Sequence, residues 1–303
     1  MNLALTAFRQ IFIMLILLIV GFVSAKTGLI DEHTNNKLSS YLLFLITPIV
    51  IFMSFQRPLE ASAIAGLITS FWLSIVAFTI KIVIASVVNR YKQDERTPLD
   101  KFGAVYSNAG FIGIPLVVGI FGLEGVFYIS AYLAVFQFLN WTHGMMVIKG
   151  EASFGYLLKA LKSPAVIAII LGICAFFLQF EVPELLFEPL NMLANMNGPL
   201  AMTVAGVSMA GANFKQIVTN PKIYRFCFTR LLLIPLAIIG VFSFFDTPTI
   251  IATAIIILAS CPAGVSVILF AYQYEKDHLY ATELVVSSTI LSMLTIPLLL
   301  FLI

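Results

Sequence analysis

Two short stretches carry the residue types that could do chemistry. Asn108-Ala109-Gly110-Phe111-Ile112-Gly113-Ile114-Pro115 puts an amide, two glycines and a proline into a run, 102–123, that has no Asp, Glu, Lys or Arg. Ser260-Cys261-Pro262-Ala263-Gly264 repeats the device in the run 247–274. Proline removes one amide donor and clashes with the carbonyl four residues back. A helix broken this way offers the free N–H groups and positive dipole end of its second half. Such an end attracts anions, carboxylates among them. Asn108 both donates and accepts hydrogen bonds, so it can hold a carboxylate. Gln137 and Asn140 stand three apart on one helix face and add two more amides. Lys81 supplies a basic group within the helix expected from the run 61–80, nine residues before Arg90 and so roughly 13 Å deeper along it. Gly110, Gly113, Pro115, Ser260, Pro262, Ala263 and Gly264 complete the candidate substrate-binding set, with Lys81 in charge compensation. This is the chemistry of recognition. No His-Glu-x-x-His motif, paired acids, Ser/His arrangement or P-loop lies in the apolar runs, so an enzyme is not expected. Cys174, Cys227 and Cys261 lack metal-ligand spacing and read as small buried apolar residues, and no metal or cofactor is expected.

The elements that must position these residues are membrane helices. Of 303 residues 60% are hydrophobic and 11% charged, about half the charged share of a soluble domain. The apolar residues gather in ten runs: 10–25, 38–56, 61–80, 102–123, 125–148, 163–180, 189–214, 231–245, 247–274 and 284–303. A helix needs about 20 apolar residues to cross a bilayer core of about 30 Å. The short runs 10–25 and 231–245 extend past Arg9 and Arg230, whose long side chains are expected to snorkel to the interface. Ten transmembrane helices are therefore predicted, in an all-α polytopic membrane protein. The longest hydrophilic stretch, 89–101, is too short for a soluble domain.

Lys and Arg collect in cytoplasmic loops. The loops after helices 1, 3, 5, 7 and 9 hold fourteen of them, from Lys26 to Lys276. The other loops and the termini hold only Arg9 and Arg57. Both termini are thereby predicted outside. Two five-helix halves then fit, 1–150 and 151–303, the second inserted upside down. Pro48 and Pro115 in helices 2 and 4 lie 67 apart, and Pro199 and Pro262 in helices 7 and 9 lie 63 apart. Interrupted helices at matching places in inverted halves point to a secondary transporter and its binding site.

The segment Asn108 to Leu116 resembles the auxin efflux carrier family, whose helix 4 carries an Asn and then Gly-Ile-Pro-Leu at this spacing. Pro262-Ala263-Gly264 followed by Phe270-Ala271, Gln137 four residues before Trp141, and Ile296-Pro297-Leu298 are similar to other segments of that family. The likeness spans the chain. The short stretch 149–162 resembles bacterial members rather than plant auxin carriers. The resemblance implies two inverted five-helix repeats, NhaA-like and bile-acid-transporter-like, with helices 1, 2, 6 and 7 as scaffold. Helices 3–5 and 8–10 would be the transport part, with broken helices 4 and 9 crossing at the substrate site. It further implies elevator-type alternating access and a small organic carboxylate, such as malate or malonate, as partner. Asn108, Pro115 and Pro262 would mark the crossing and Gln137 would line it. The setting implied is the bacterial inner membrane, multi-pass and surrounded by lipid, with no nucleic acid; a homodimer is compatible. A sodium- or proton-coupled symporter of the bile-acid-transporter type, or a non-transporting membrane sensor, are the alternatives.

Overall fold

The computed structural model describes residues 3–90, 94–150, 154–211 and 214–303. Lys92 of the charge count, and residue 151 where the second half was expected to begin, lie outside the described residues. Among those described there are only helices and one isolated β-bridge. Helix α1 spans Leu3–Lys26, α2 Glu32–Ser54, α3 Ala61–Val88 and α4 Thr97–Val105. A long run, α5, covers Ala109–Lys149. Then come α6 Phe154–Leu161, α7 Pro164–Leu178, α8 Glu184–Asn195, α9 Asn197–Met209 and α10 Phe214–Thr219. The last are α11 Pro221–Phe242, α12 Thr249–Ser260, α13 Ser266–Gln273 and α14 His278–Leu300. Six of these, α1, α2, α3, α5, α11 and α14, are long and apolar enough to cross a bilayer; α7 and α12 are shorter apolar helices. The chain is an all-helical, multi-pass membrane protein.

Helix α5 is not straight. Gly122 has φ 64° and ψ −157°, a conformation open to glycine and strained for other residues. The Gly125 position lies against the Val117 side chain, although eight residues of straight helix would separate them by about 12 Å. The run therefore turns back on itself at Gly122, and its two arms pack side by side.

Prolines shape α2, the start of α5, and α11. π-turns occupy Leu42–Ile46, Ala109–Gly113 and Thr229–Leu233. Each ends two residues before a proline: Pro48, Pro115 and Pro235. A widened turn relieves the clash of the proline ring with the carbonyl four residues earlier. The helix continues, with side chains after the widened turn rotated onto a new face.

Buried side chains fall into helical stripes. Ala7, Ile11, Met14 and Leu18 line the inner face of α1, the 3–4 spacing of one helix face. Phe12, Ile16, Ile19 and Val23 remain exposed; outward apolar surface on this scale suits lipid rather than water. α1 packs closely on α9. A Cβ on Gly206 would run into the Leu18 carbonyl, and one on Gly21 into that of Thr203. Small residues of this kind let membrane helices approach backbone to backbone. Gly206→Ala is therefore expected to destabilise the protein by roughly 1–3 kcal/mol, since the obstacle is backbone and cannot move aside. Gly240→Ala meets open space and is the control; thermal unfolding in detergent compares the two.

At one end of the molecule the loops before α4, α11 and α14 meet. Arg96 pairs with Asp277 at 2.7 Å, and Lys222 pairs with Asp94 at 2.7 Å. The Tyr280 hydroxyl donates to Asp100 at 2.7 Å. The ion pairs are partly exposed and each adds little stability, but together they bring these helix ends into register.

Candidate functional site: two broken helices paired through their backbones

The helix made by α4 and the first arm of α5 is broken at Tyr106-Ser107-Asn108. Tyr106 is extended, with φ −96° and ψ 108°. Serine and asparagine favour caps and turns over helix interiors, and Asn108 begins the next helix as its cap residue. The other break separates α12 from α13. Cys261 is extended, φ −58° and ψ 151°, as the residue before a proline is pushed to be.

The two breaks lie side by side and antiparallel, with Ser107 opposite Ala263. The Asn108 N–H donates to the Pro262 carbonyl at 2.8 Å, and the Gly264 N–H to the Tyr106 carbonyl at 2.9 Å. The Ala263 N–H donates to Ser288 Oγ of α14 at 3.1 Å. Away from water an unpaired backbone group costs several kcal/mol, so each break supplies partners the other needs. Gly264 permits the approach: a Cβ there would stand 3.0 Å from the Ser107 carbonyl oxygen. Gly113 has a packing role, since a Cβ would press into Leu258 of α12.

Each second half begins with open amides. In α5 the first amides bonded to a helical carbonyl are those of Ile112 and Gly113, both to Asn108 O. Those of Ala109, Gly110 and Phe111 come earlier, at the open end. In α13 the Val267 N–H reaches Gly264 O, which leaves the amides of Val265 and Ser266 at the open end. Gly110 and Ser266 are partly accessible and Val265 is exposed. The Asn108 side chain does not cap its own helix.

Two basic side chains are built in around this crossing. Lys81 sits on the inward stripe of α3, between Ala77 and Ala85, and is fully buried. Its ammonium lies 4.6 Å from the centre of the Phe78 ring and donates to the Tyr132 hydroxyl at 2.6 Å. That hydroxyl shares a bond with Ser107 Oγ at 3.3 Å, which links Lys81 to the break.

Arg230 corrects the sequence reading. It does not snorkel: it is fully buried. It donates to the carbonyls of Ala104 at 3.3 Å, Ala259 at 2.9 Å and Cys261 at 2.5 Å. Those groups close the first halves of both broken helices, where the dipoles leave partial negative charge. The signals that could have revealed Arg230 are in the sequence. It stands at helical spacing in the buried series Ile223, Cys227, Arg230, Ile234, Ile238. It also precedes Pro262 by 262 − 230 = 32 residues, as Lys81 precedes Pro115 by 115 − 81 = 34. Tyr132, also missed, reads as one aromatic among many.

Of the predicted site residues, the structure brings Asn108, Gly110, Gly113, Pro115, Ser260, Pro262, Ala263 and Gly264 into the two paired breaks, with Lys81 beside them. Ser260 Oγ is buried without a hydrogen-bond partner. Asn140 is buried with Oδ1 unpartnered; the neighbouring Leu139 carbonyl accepts from the Tyr106 hydroxyl at 2.8 Å. Gln137 is half-buried and takes no part in the hydrogen bonds described for the breaks. Asn197, at the start of α9, donates to Thr47 Oγ1 at 3.2 Å, and Gly198 faces Pro115. These contacts bring α2 and α9 against the first turns of α5. Cys227 and Cys261 are buried as expected, but Cys174 is exposed on α7.

A family model described as "Membrane transport protein" matches residues 6–300. An uncharacterized transporter of Methanocaldococcus jannaschii is 23% identical over 95% of this chain and 96% of its own length. A protein of Rhizobium meliloti named as a putative malonate transporter is 26% identical over 95% of this chain and 92% of its own. An uncharacterized transporter of Methanothermobacter thermautotrophicus is 24% identical over 94% of each chain.

Proposed function

This chain belongs to the membrane transport protein family, the auxin efflux carriers of the sequence resemblance, and from that premise we propose that it carries small organic carboxylates across the membrane. The substrate is held at the crossing of the two breaks and moves by an elevator-type exchange of access. The observation that carries this reading is the charge around the crossing. Two buried basic side chains and two open helix N-termini surround it. The runs 61–80, 102–123 and 247–274 contain no acid, and the buried acids of the adjoining helices, Asp100 and Glu283, stand four residues before Ala104 and five before Ser288. Such a place favours a negative ligand, and the Rhizobium meliloti relative is named for a dicarboxylate.

Ten passes in two inverted halves accommodate the helices. Here α1, α2 and α3 are the first three passes. α4 with the first arm of α5 is the fourth, and the second arm is the fifth. α7, then α8 with α9, then α11, then α12 with α13, then α14 make the inverted set. The similar offsets of Lys81 and Arg230 from the break prolines, 34 and 32 residues, support the repeat. The close packing of α1 on α9, and the polar ties among α4, α11 and α14, support a scaffold and a moving part. Both termini face outward, and the membrane is the bacterial inner membrane.

The test is uptake into proteoliposomes of labelled malonate, malate and monocarboxylates, with pH and sodium varied separately. Saturable uptake of at least one acid is expected. No uptake of any acid above protein-free liposomes would remove this reading.

A further inference from the structure

The C-terminal ends of α2 and α7 meet close to the start of α3. Ala61, where α3 begins, is 81 − 61 = 20 residues before Lys81, so about 30 Å of helix separates this place from the crossing. Two loops join there, 55–60 and 179–183, and two glutamines tie them together. Gln56 Oε1 accepts from the Val182 N–H at 3.0 Å, and Gln179 Oε1 from the Leu59 N–H at 3.0 Å. Gln179 also donates to the Phe176 carbonyl at 2.7 Å. Between the loops lies a cavity of about 360 Å³, the size of a small-ligand site. Phe55, Phe180 and Phe187 give it apolar walls, and Gln56, Arg57 and Glu181 give it polar ones.

Two of these polar groups have donors to spare. The Val182 bond fixes which end of the Gln56 amide is oxygen, and Gln56 Nε2 is left buried without a partner. A buried donor left unmatched is costly. The Arg57 guanidinium rests on ring faces, 4.6 Å from the centre of Phe127 and 5.8 Å from that of Tyr128. Its approach to Glu124, at 4.0 Å, is longer than a hydrogen bond. Both groups can therefore donate to an oxyanion.

A simple anion does not suit the place, because Glu181 lines it and Glu124 stands beside Arg57. One base between two exposed acids suits a ligand that carries both signs. Position adds a further property. α2 ends at Ser54 and α3 begins at Ala61, so the cavity stands at the edge of the apolar spans, at headgroup level. Leu178 and Phe180, on either side of Gln179, are exposed; outward apolar surface of this kind suits acyl chains.

We infer that this cavity binds the headgroup of a phospholipid of the phosphoethanolamine type, with the phosphate on Arg57 and Gln56 and the ammonium on Glu181. A primary ammonium keeps N–H donors for the carboxylate, which a quaternary one lacks. The lipid would tie α2 and α7 to the second arm of α5, since Arg57 and Phe55 both pack on Phe127. The site is independent of what is carried at the crossing.

Native mass spectrometry of the full-length protein, purified in detergent and stripped of lipid, reads the oligomer mass and the number of lipids held. The protein is titrated with phosphatidylethanolamine, phosphatidylcholine and phosphatidylglycerol of identical chains, and with glycerophosphoethanolamine, which is the headgroup without tails. One phosphatidylethanolamine per chain is expected to bind about tenfold more tightly than any of the other three, the scale of one hydrogen bond to a charged group. Arg57→Gln and Gln56→Leu should each weaken it by about the same factor. Glu181→Gln alters an exposed side chain, and it should erase the preference for phosphatidylethanolamine over phosphatidylglycerol.

Equal binding of the three lipids by the wild-type protein would overturn the proposal. So would a preference that survives in Glu181→Gln. Glycerophosphoethanolamine binding as tightly as the lipid would give the cavity to a free phosphate compound instead. A dimer that holds no lipid would give it to a second copy of the chain.

Discussion

The methyl ester of a transported acid is expected to compete with the labelled acid roughly a hundredfold more weakly than the acid itself. Each open helix N-terminus contributes from a few tenths to about 2 kcal/mol towards a negative group. Two such ends, towards the upper part of that range, reach the 2.7 kcal/mol or so that a hundredfold needs. The ester keeps the size and most of the shape of the acid but offers no charge to either end. Lys81 lies one hydroxyl away from Ser107, so Lys81→Met should weaken the acid more than the ester and narrow the gap. Competition curves for both compounds, in the wild type and in Lys81→Met, give the four values required. Equal potency of acid and ester in the wild type would return the crossing to a purely mechanical role.

Asn108→Ala is expected to lower substrate affinity on the order of tenfold to a hundredfold while leaving the protein folded. The backbone of Asn108 is fixed on both sides. Its N–H is held by Pro262, and its carbonyl accepts from Ile112 and Gly113. These bonds do not involve the side chain and survive the substitution. What is lost is an amide at the mouth of the open turn, and a hydrogen bond to a charged ligand contributes about 1.5–3 kcal/mol. Normal substrate affinity in Asn108→Ala, measured by competition, would assign the residue to structure alone. An unfolding temperature close to that of the wild type would show that the lost affinity belongs to the ligand contact.

The two breaks were legible in the sequence because what makes them is local. A proline removes its own amide and restrains the residue before it, whatever the rest of the chain does. Runs free of acids and bases likewise state their need for lipid or protein around them. The return of the chain at Gly122 was foreshadowed by Glu124 between two apolar runs, though only the backbone angles of Gly122 show how it is made.

What the tertiary structure decided is which groups answer one another. An arginine at the edge of an apolar run has two outcomes, reaching for the interface or being buried, and the choice depends on acceptors. For Arg230 the acceptors are carbonyls 126, 29 and 31 residues away. They become available only because two helices break at the same place in space. Gly113 shows the same limit. As a residue type it suggests closeness to a ligand, while its neighbour is Leu258, 145 positions along the chain. A lone serine in an apolar run ordinarily bonds within its own helix, whereas Ser107 pairs with Ala263 and meets Tyr132. Breaking a helix follows from bonds within a few residues. Satisfying the groups it frees requires partners the chain supplies only once it has folded.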